Sequence, residues 1–365
     1  MATESINLHD DKYLQYITKR HPHENWTLCL GAGICFGIMP SWYELTIGII
    51  NKVFNYTWTI DDFEKYNKNI GFSLDSWIQG CQNYHINIEG KTRESFNEIL
   101  EFELYKDLLN KAEEYKLLDV VKKLFEKPDY LKKDDIFKIC DFFDQEYGKT
   151  TLLQLVKVLS RNNDEIKLPE AIITLNADSL LPSLIRVYQI RNYNEQTPEF
   201  IQPPEKFVKI TNSYNKKGDK IPIFQLHGTI SPSFNQSIND NRDNLIFLED
   251  SYNEISANMY SWAQSTFLYY AQNNKMIFIG LSMTDSNIRK WLNWTNKNNL
   301  KEINKKSKKC NLSLQHLWIT IKKESDLQKF LNVSLHHLGV KLAFINNWTE
   351  IEDRLNFILK KQILN

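Results

Sequence analysis

Four short segments carry residue types able to do chemistry. The first, L-G-A-G-I-C-F-G-I-M-P-S-W at 30–42, opens with Gly31, Ala32 and Gly33. Small residues at a strand-to-helix turn let the backbone approach a pyrophosphate, with amide N–H groups and the positive helix end aimed at it. The same residues also suit an ordinary tight turn. Ser41 and Glu44 form an S-x-x-E capping box, which predicts a helix starting just after Pro40. The second segment, I-I-T-L-N-A-D-S-L-L at 172–181, sets Asn176 and Asp178 two residues apart, on one side of an extended chain and within reach of one pocket. The competing role for Asp178 is to cap the next helix. The third, F-Q-L-H-G-T-I at 224–230, ends an apolar run with His227 and Gly228. An imidazole is suited to proton transfer near neutrality, although a buried structural histidine would fit the same pattern. The fourth, M-I-F-I-G-L-S-M-T-D-S-N-I-R at 276–289, ends its run with Gly280, Ser282, Asp285 and Arg289, where Asp285 can cap a helix.

The elements that must position these residues are legible as apolar runs. Strands are expected at Trp26–Leu30, Ala171–Leu175, Phe207–Ile210, Ile223–Leu226, Met276–Ile279, Leu317–Ile321 and Lys341–Ile345. Most are apolar throughout, as strands covered on both faces must be. Between roughly 60 and 165 the period becomes helical: Leu117, Val120, Val121 and Leu124 recur at i, i+3, i+4 and i+7, as do Leu152, Leu155, Val156 and Leu159. The expected fold is α/β, a Rossmann-like parallel sheet of about six to seven strands with helices on both faces and a large helical insertion after the first βα unit. It forms one domain over 1–365, with the insertion at 60–165 and a C-terminal helix within 346–365, running from Trp348 with Ile351, Leu355 and Ile358 on one face.

In this order, G-A-G, T-x-N-x-D, H-G and G-x-S-x-x-D-x-x-x-R resemble the sirtuin-like NAD-binding family, specifically its bacterial branch. P-S-W at Pro40–Trp42 and L-E-D-S-Y at Leu248–Tyr252 strengthen the likeness, which spans residues 25 to 345. The resemblance implies NAD as substrate. It assigns Gly31, Ala32 and Gly33 to the dinucleotide-binding turn, with Pro40 and Trp42 beside it. Thr174 opens the second motif, Asn176 contacts the nicotinamide ribose and positions a nucleophile, and Asp178 holds the carboxamide. His227, followed by Gly228, is the base toward ribose hydroxyls or water. Gly280, Ser282 and Asp285 form the turn on the adenosine side. Several positions depart from the family pattern. Cys35 stands where a serine is usual, the Gly33–Pro40 loop is about one residue short, and Ala177 and Pro182 replace a tyrosine and a glutamate. The four-cysteine zinc module of the deacylase branch is missing, which turns the expectation away from peptide substrates.

The activity this implies is hydrolysis of the nicotinamide–ribose bond to nicotinamide and ADP-ribose, as an effector of bacterial anti-phage defence by NAD depletion. A protein deacylase or ADP-ribosyltransferase on the same site, or a nucleotide-sensing module regulating a partner, are the alternatives. A homo-oligomer, or a separate protein that senses infection, is the expected partner.

Composition narrows the remaining classes. With 45 basic and 45 acidic side chains the formal charge is zero, so the whole-molecule field gives no reason to expect nucleic acid as a partner. The lysine-rich K-E-I-N-K-K-S-K-K at 301–309 is expected to be a solvated surface turn. No stretch approaches the ~20 apolar residues of a membrane span, and the first twenty residues lack a signal-peptide core, so a cytoplasmic location is expected. The five cysteines, Cys29, Cys35, Cys81, Cys140 and Cys310, are scattered without a C-x-x-C pair, and no metal site is expected. Gly148, Lys149 and Thr150 imitate the end of a phosphate-binding P-loop, but no buried strand leads into them.

Overall fold

Every one of the seven apolar runs becomes a strand, because each buries side chains on both faces of one sheet. The computed structural model describes residues 25–126, 128–161, 167–195, 199–211, 219–232, 245–258, 261–306 and 314–359. Its strands are β1 (Trp26–Leu30), β2 (Ala171–Thr174), β3 (Phe207–Ile210), β4 (Ile221–Gln225), β5 (Lys275–Ile279), β6 (His316–Ile321) and β7 (Val340–Ile345). All pairings are parallel, in the order β3-β4-β2-β1-β5-β6-β7. Alternation along each strand divides the core in two: Leu28, Leu30, Ile172, Ile277 and Ile279 pack on one face, whereas Cys29, Ile173, Met276 and Phe278 pack on the other. The doubly covered parallel sheet read from the sequence is the fold that forms.

Strand order decides where a ligand can sit. The chain leaves β1 toward β2 and later returns on the opposite side as β5, so β1 pairs with both, Thr27 lying opposite Ala171 and Met276. The reversal opens a crevice at the carboxyl ends of β1, β2 and β5, the usual ligand position in such sheets. All four motif segments end strands at that edge.

Helices α1 (Trp42–Phe54), α8 (Leu180–Asn194) and α13 (Ile351–Leu359) cover one face, and α10 (Trp262–Asn273) and α11 (Ser286–Lys306) the other. The capping box forms as expected: Ser41 Oγ accepts from Glu44 N at 3.3 Å and Glu44 Oε2 from Ser41 N at 2.7 Å. The insertion consists of α2 (Ile60–Ile70), α3 (Leu74–Asn83), α4 (Arg93–Glu114), α5 (Leu118–Glu126), α6 (Lys133–Tyr147) and α7 (Thr151–Leu159). One π-helical turn, Tyr84–Ile88, extends α3. Leu152, Leu155, Val156 and Leu159 of α7 are wholly or almost wholly buried, which is why their helical period was readable. Thr150 caps α7 through its side chain and Lys149 is exposed, so the G-K-T sequence is a helix start. The C-terminal segment begins with a 3₁₀ turn at Trp348–Glu350 before α13, and Ile351, Leu355 and Ile358 are buried. Its continuation past Leu359, the first twenty residues, Cys310 and the lysine-rich segment beyond Lys306 lie outside the described residues; up to Lys306 that segment belongs to α11. Two further helices, α9 (Glu249–Ala257) and α12 (Ser325–Ser334), complete the described set.

Candidate active site

Two glycine-bearing turns build the floor of the crevice. Gly31 N donates to Ile279 O at 3.1 Å and Gly33 N to Gly280 O at 2.9 Å, so the turns after β1 and β5 lie backbone against backbone. A Cβ on Gly33 would stand 2.8 Å from Gly280 O, and one on Gly280, at φ +72°, 2.6 Å from Ile34 N. The glycines therefore first serve the contact between turns, and both of these amides are already donated. After Gly31 the chain makes a 3₁₀ turn over Ala32–Cys35, and the helix α1 waits until Trp42.

The turns after β2 and β4 are stitched together in the same way. Asn176 N donates to Thr174 Oγ1 at 3.0 Å, Gln225 Nε2 to Asp178 O at 2.8 Å, and Ile230 N to Ala177 O at 2.7 Å. Asp178 Oδ1 accepts from Leu180 N at 3.0 Å, the capping role open to it from the sequence. Its second oxygen accepts from the Cys35 thiol at 3.5 Å, and Asn176 Nδ2 donates to the same sulfur at 3.4 Å. Cys35 thus joins the first turn to the second. Burial, and then the neighbouring Asp178 carboxylate, push its pKa well up, so it remains a thiol and can donate. Burial also raises the Asp178 carboxyl above the usual carboxylate range, against the hydrogen bonds it accepts.

These residues meet in a cavity of about 50 Å³ with Asn176, Asp178, Cys35 and His227 on its polar side. Trp42 and Phe247 close the apolar side, their rings 5.3 Å apart. Small-molecule pockets are commonly ~300–1,000 Å³, so this conformation is too closed to admit a dinucleotide. Burial pushes His227 down to about 4, partly opposed by the Asp285 carboxylate and the Leu175 carbonyl, so its imidazole is neutral at pH 7. The Tyr252 ring meets it edge-on at 5.5 Å, and the left-handed Gly228 (φ +76°) turns the chain away. Asn176 Oδ1 is buried and has no hydrogen-bond partner. A neutral base and an unused acceptor in one cavity can orient and deprotonate a hydroxyl or a water.

Of the residues singled out from sequence, Ala32, Pro40, Trp42, Asn176, Asp178 and His227 line the cavity. Gly31, Gly33, Thr174, Gly228 and Gly280 shape the turns behind it. Ser282 is exposed and pairs with Thr284 Oγ1 at 2.6 Å, and Asp285 accepts from Ile288 N at 2.9 Å as the cap of α11. Sequence reasoning missed the contribution of the helical insertion. Leu104 lines the cavity, and the buried Tyr105 hydroxyl accepts from Ser179 N at 3.1 Å and donates to Ile230 O at 2.7 Å. Nothing in the local pattern of α4 distinguishes Tyr105 from a core aromatic. Ile246 and Phe247 were also missed, although the L-E-D-S-Y run begins right after them.

No group of three or more His, Cys, Asp or Glu side chains among the described residues is placed to hold a metal ion. Among the same residues no helix is long and apolar enough to cross a membrane. A comparison with curated protein sequences finds no match to the chain. Residues 170–339 match the family model described as a SIR2-like domain, a stretch holding Asn176, Asp178, His227 and the Gly280–Asp285 turn. With those residues gathered at the switch point of a parallel sheet, the chain carries a SIR2-like domain at 170–339.

Proposed function

We propose that the protein is an NAD hydrolase that cleaves the nicotinamide–ribose bond. The observation that carries this reading is the unpartnered Asn176 Oδ1 in the same cavity as a neutral, buried His227. Asn176 accepts from a ribose hydroxyl or the attacking water, and His227 takes the proton as the bond to nicotinamide breaks through an oxocarbenium-like state. Water supplies the new bond to the ribose carbon, so nicotinamide and ADP-ribose leave with one proton released. Asp178, held by Cys35 and Leu180 N, is the group assigned in this reading to grip the nicotinamide carboxamide.

The cavity must widen before NAD enters. Trp42, Leu104 and Phe247 are the apolar groups that close it, and Leu104 belongs to the insertion. A closed resting site fits an enzyme that would exhaust the NAD of its own cell if always active. The resemblance to the bacterial branch supports a role in anti-phage defence, with activation by self-assembly or by an infection-sensing partner.

The test is to incubate the protein with NAD, with and without an acyl-lysine peptide, and identify the products by chromatography. Nicotinamide and ADP-ribose are expected regardless of peptide. Asn176→Ala and His227→Ala should each lower turnover by roughly two orders of magnitude or more. Acylated ADP-ribose formed only with peptide, or intact NAD under every assembly condition, would overturn the reading.

A further inference from the structure

A second cavity lies behind the catalytic turn, between α8, the end of α5 and the edge strand β3. Its volume is about 170 Å³, more than the space beside His227. Ser179, which precedes α8, and Ser183, Arg186 and Gln189 within it all line the cavity, and each is nine-tenths or more buried. Spacings of three and four residues put them on one stripe, so a helix buried on nearly all sides turns a polar face inward at this place.

That polar face is only partly satisfied. Arg186 is engaged: Nε donates to Asp129 Oδ1 at 2.5 Å, Nη1 to Pro203 O at 2.9 Å and Nη2 to Gln202 Oε1 at 3.3 Å. Glu205 at the rim pairs with Lys220. Gln189 Nε2, in a side chain only 2% exposed, has no hydrogen-bond partner. Ser179 Oγ accepts from Ser231 Oγ at 2.9 Å and is itself hydrogen-bonded to the Tyr105 hydroxyl. Buried amides are ordinarily paired, so the Gln189 Nε2 donor asks for an acceptor. The rest of the lining includes the rings of Phe125 and Phe207.

We propose that this cavity is a second ligand site, for a small neutral planar heterocycle of the nucleobase class. The aromatic and aliphatic walls suit a flat ring, and the Gln189 amide suits the mixed donor–acceptor edge of a base. The charged residues of the lining, Arg186, Glu205 and Lys209, each have a partner of their own and leave no demand for a charged ligand, and the volume suits a base without its sugar and phosphate. Such a ligand touches Ser179, whose backbone N–H is held by Tyr105 and which directly follows Asp178. Occupation of this cavity does not depend on the proposed hydrolysis, so the two readings fail separately.

The experiment is ligand-detected NMR and calorimetry of the full chain with adenine and with uracil. At least one base should bind at one per chain with a millimolar or tighter Kd. Gln189→Met, which keeps the volume but loses the amide, and Ser183→Leu, which fills the space, should each weaken binding tenfold or more. Thermal melts would establish that each variant is folded, and either folded variant suffices. Asn176→Ala, in the other cavity, should leave affinity unchanged. The proposal is overturned if neither base binds, which would mean the cavity holds ordered water only. It is also overturned if binding survives in the folded variants, or if Asn176→Ala removes it.

Discussion

Cys35 lies between Asn176 and Asp178, donating to one and accepting from the other, and it stands where the resemblance leads one to expect a serine. Either side chain can hold the Asn176 amide in one orientation, with its Oδ1 turned to the cavity. Cys35→Ser should therefore keep NAD turnover within a few-fold, whereas Cys35→Ala should lower kcat about tenfold, the scale of one lost hydrogen bond. Equal loss in both variants would show that sulfur packing, not the relay, is what matters; paired kinetics decides this. His227 makes a prediction about pH. With its pKa held near 4 by burial, the acid limb of kcat/KM should fall well below the 6.5 of an ordinary imidazole. Stability has the same sign. His227 and His316, the latter pushed down to about 3 and accepting from Met276 N at 3.2 Å, are neutral when folded and bind protons more readily when unfolded. Stability is then full above about pH 6.5 and is lost as pH falls toward 4 and 3, by on the order of a few kcal/mol. Denaturant melts across that range check it; a flat profile would contradict the burial of both rings.

At the scale of elements, the insertion braces the turn after β2. Tyr105 on α4 ties Ser179 N to Ile230 O, so one hydroxyl spans the turns after β2 and β4. Helix α6 also holds α8, through Tyr188 Oη donating to Cys140 O at 3.1 Å and Arg191 pairing with Asp144 at 3.1 Å. The first of these is buried and contributes a full hydrogen bond, while partly exposed ion pairs of the second kind are worth little. Tyr105→Phe keeps the ring's packing but leaves the Ser179 N–H and the Ile230 carbonyl unpaired. It should cost about 1–3 kcal/mol in urea melts and lower turnover more than an equally destabilising change in β7. Stability lost without any extra loss of activity would make Tyr105 a packing residue only.

At the scale of the molecule, the proposed control by assembly or by a partner would act through the insertion, whose Leu104 supplies part of the cavity wall. The insertion also exposes Phe72, Ile88 and Phe102, side chains that a subunit contact would cover. NAD hydrolysis should rise steeply with protein concentration, or on adding a partner or phage-derived trigger. Phe102→Glu should shift that dependence without altering the His227 pH profile. Full, trigger-independent turnover by dilute monomer would sink the idea. The sequence alone determined the seven strands, the capped start of α1 and the four strand-end motifs. Those signals are local: an apolar run, an S-x-x-E pattern and polar residues at a strand end need only their neighbours to be read. Tertiary structure decided the rest. That Gly33 meets Gly280, that Cys35 reaches across to Asn176 and Asp178, and that Tyr105 braces Ser179 all depend on the chain reversing at β1 and on the insertion folding back over the crevice. Contacts between residues far apart in sequence leave no periodicity, and burial, which sets the ionisation of His227 and leaves Asn176 Oδ1 unpartnered, exists only once the surrounding layers have packed.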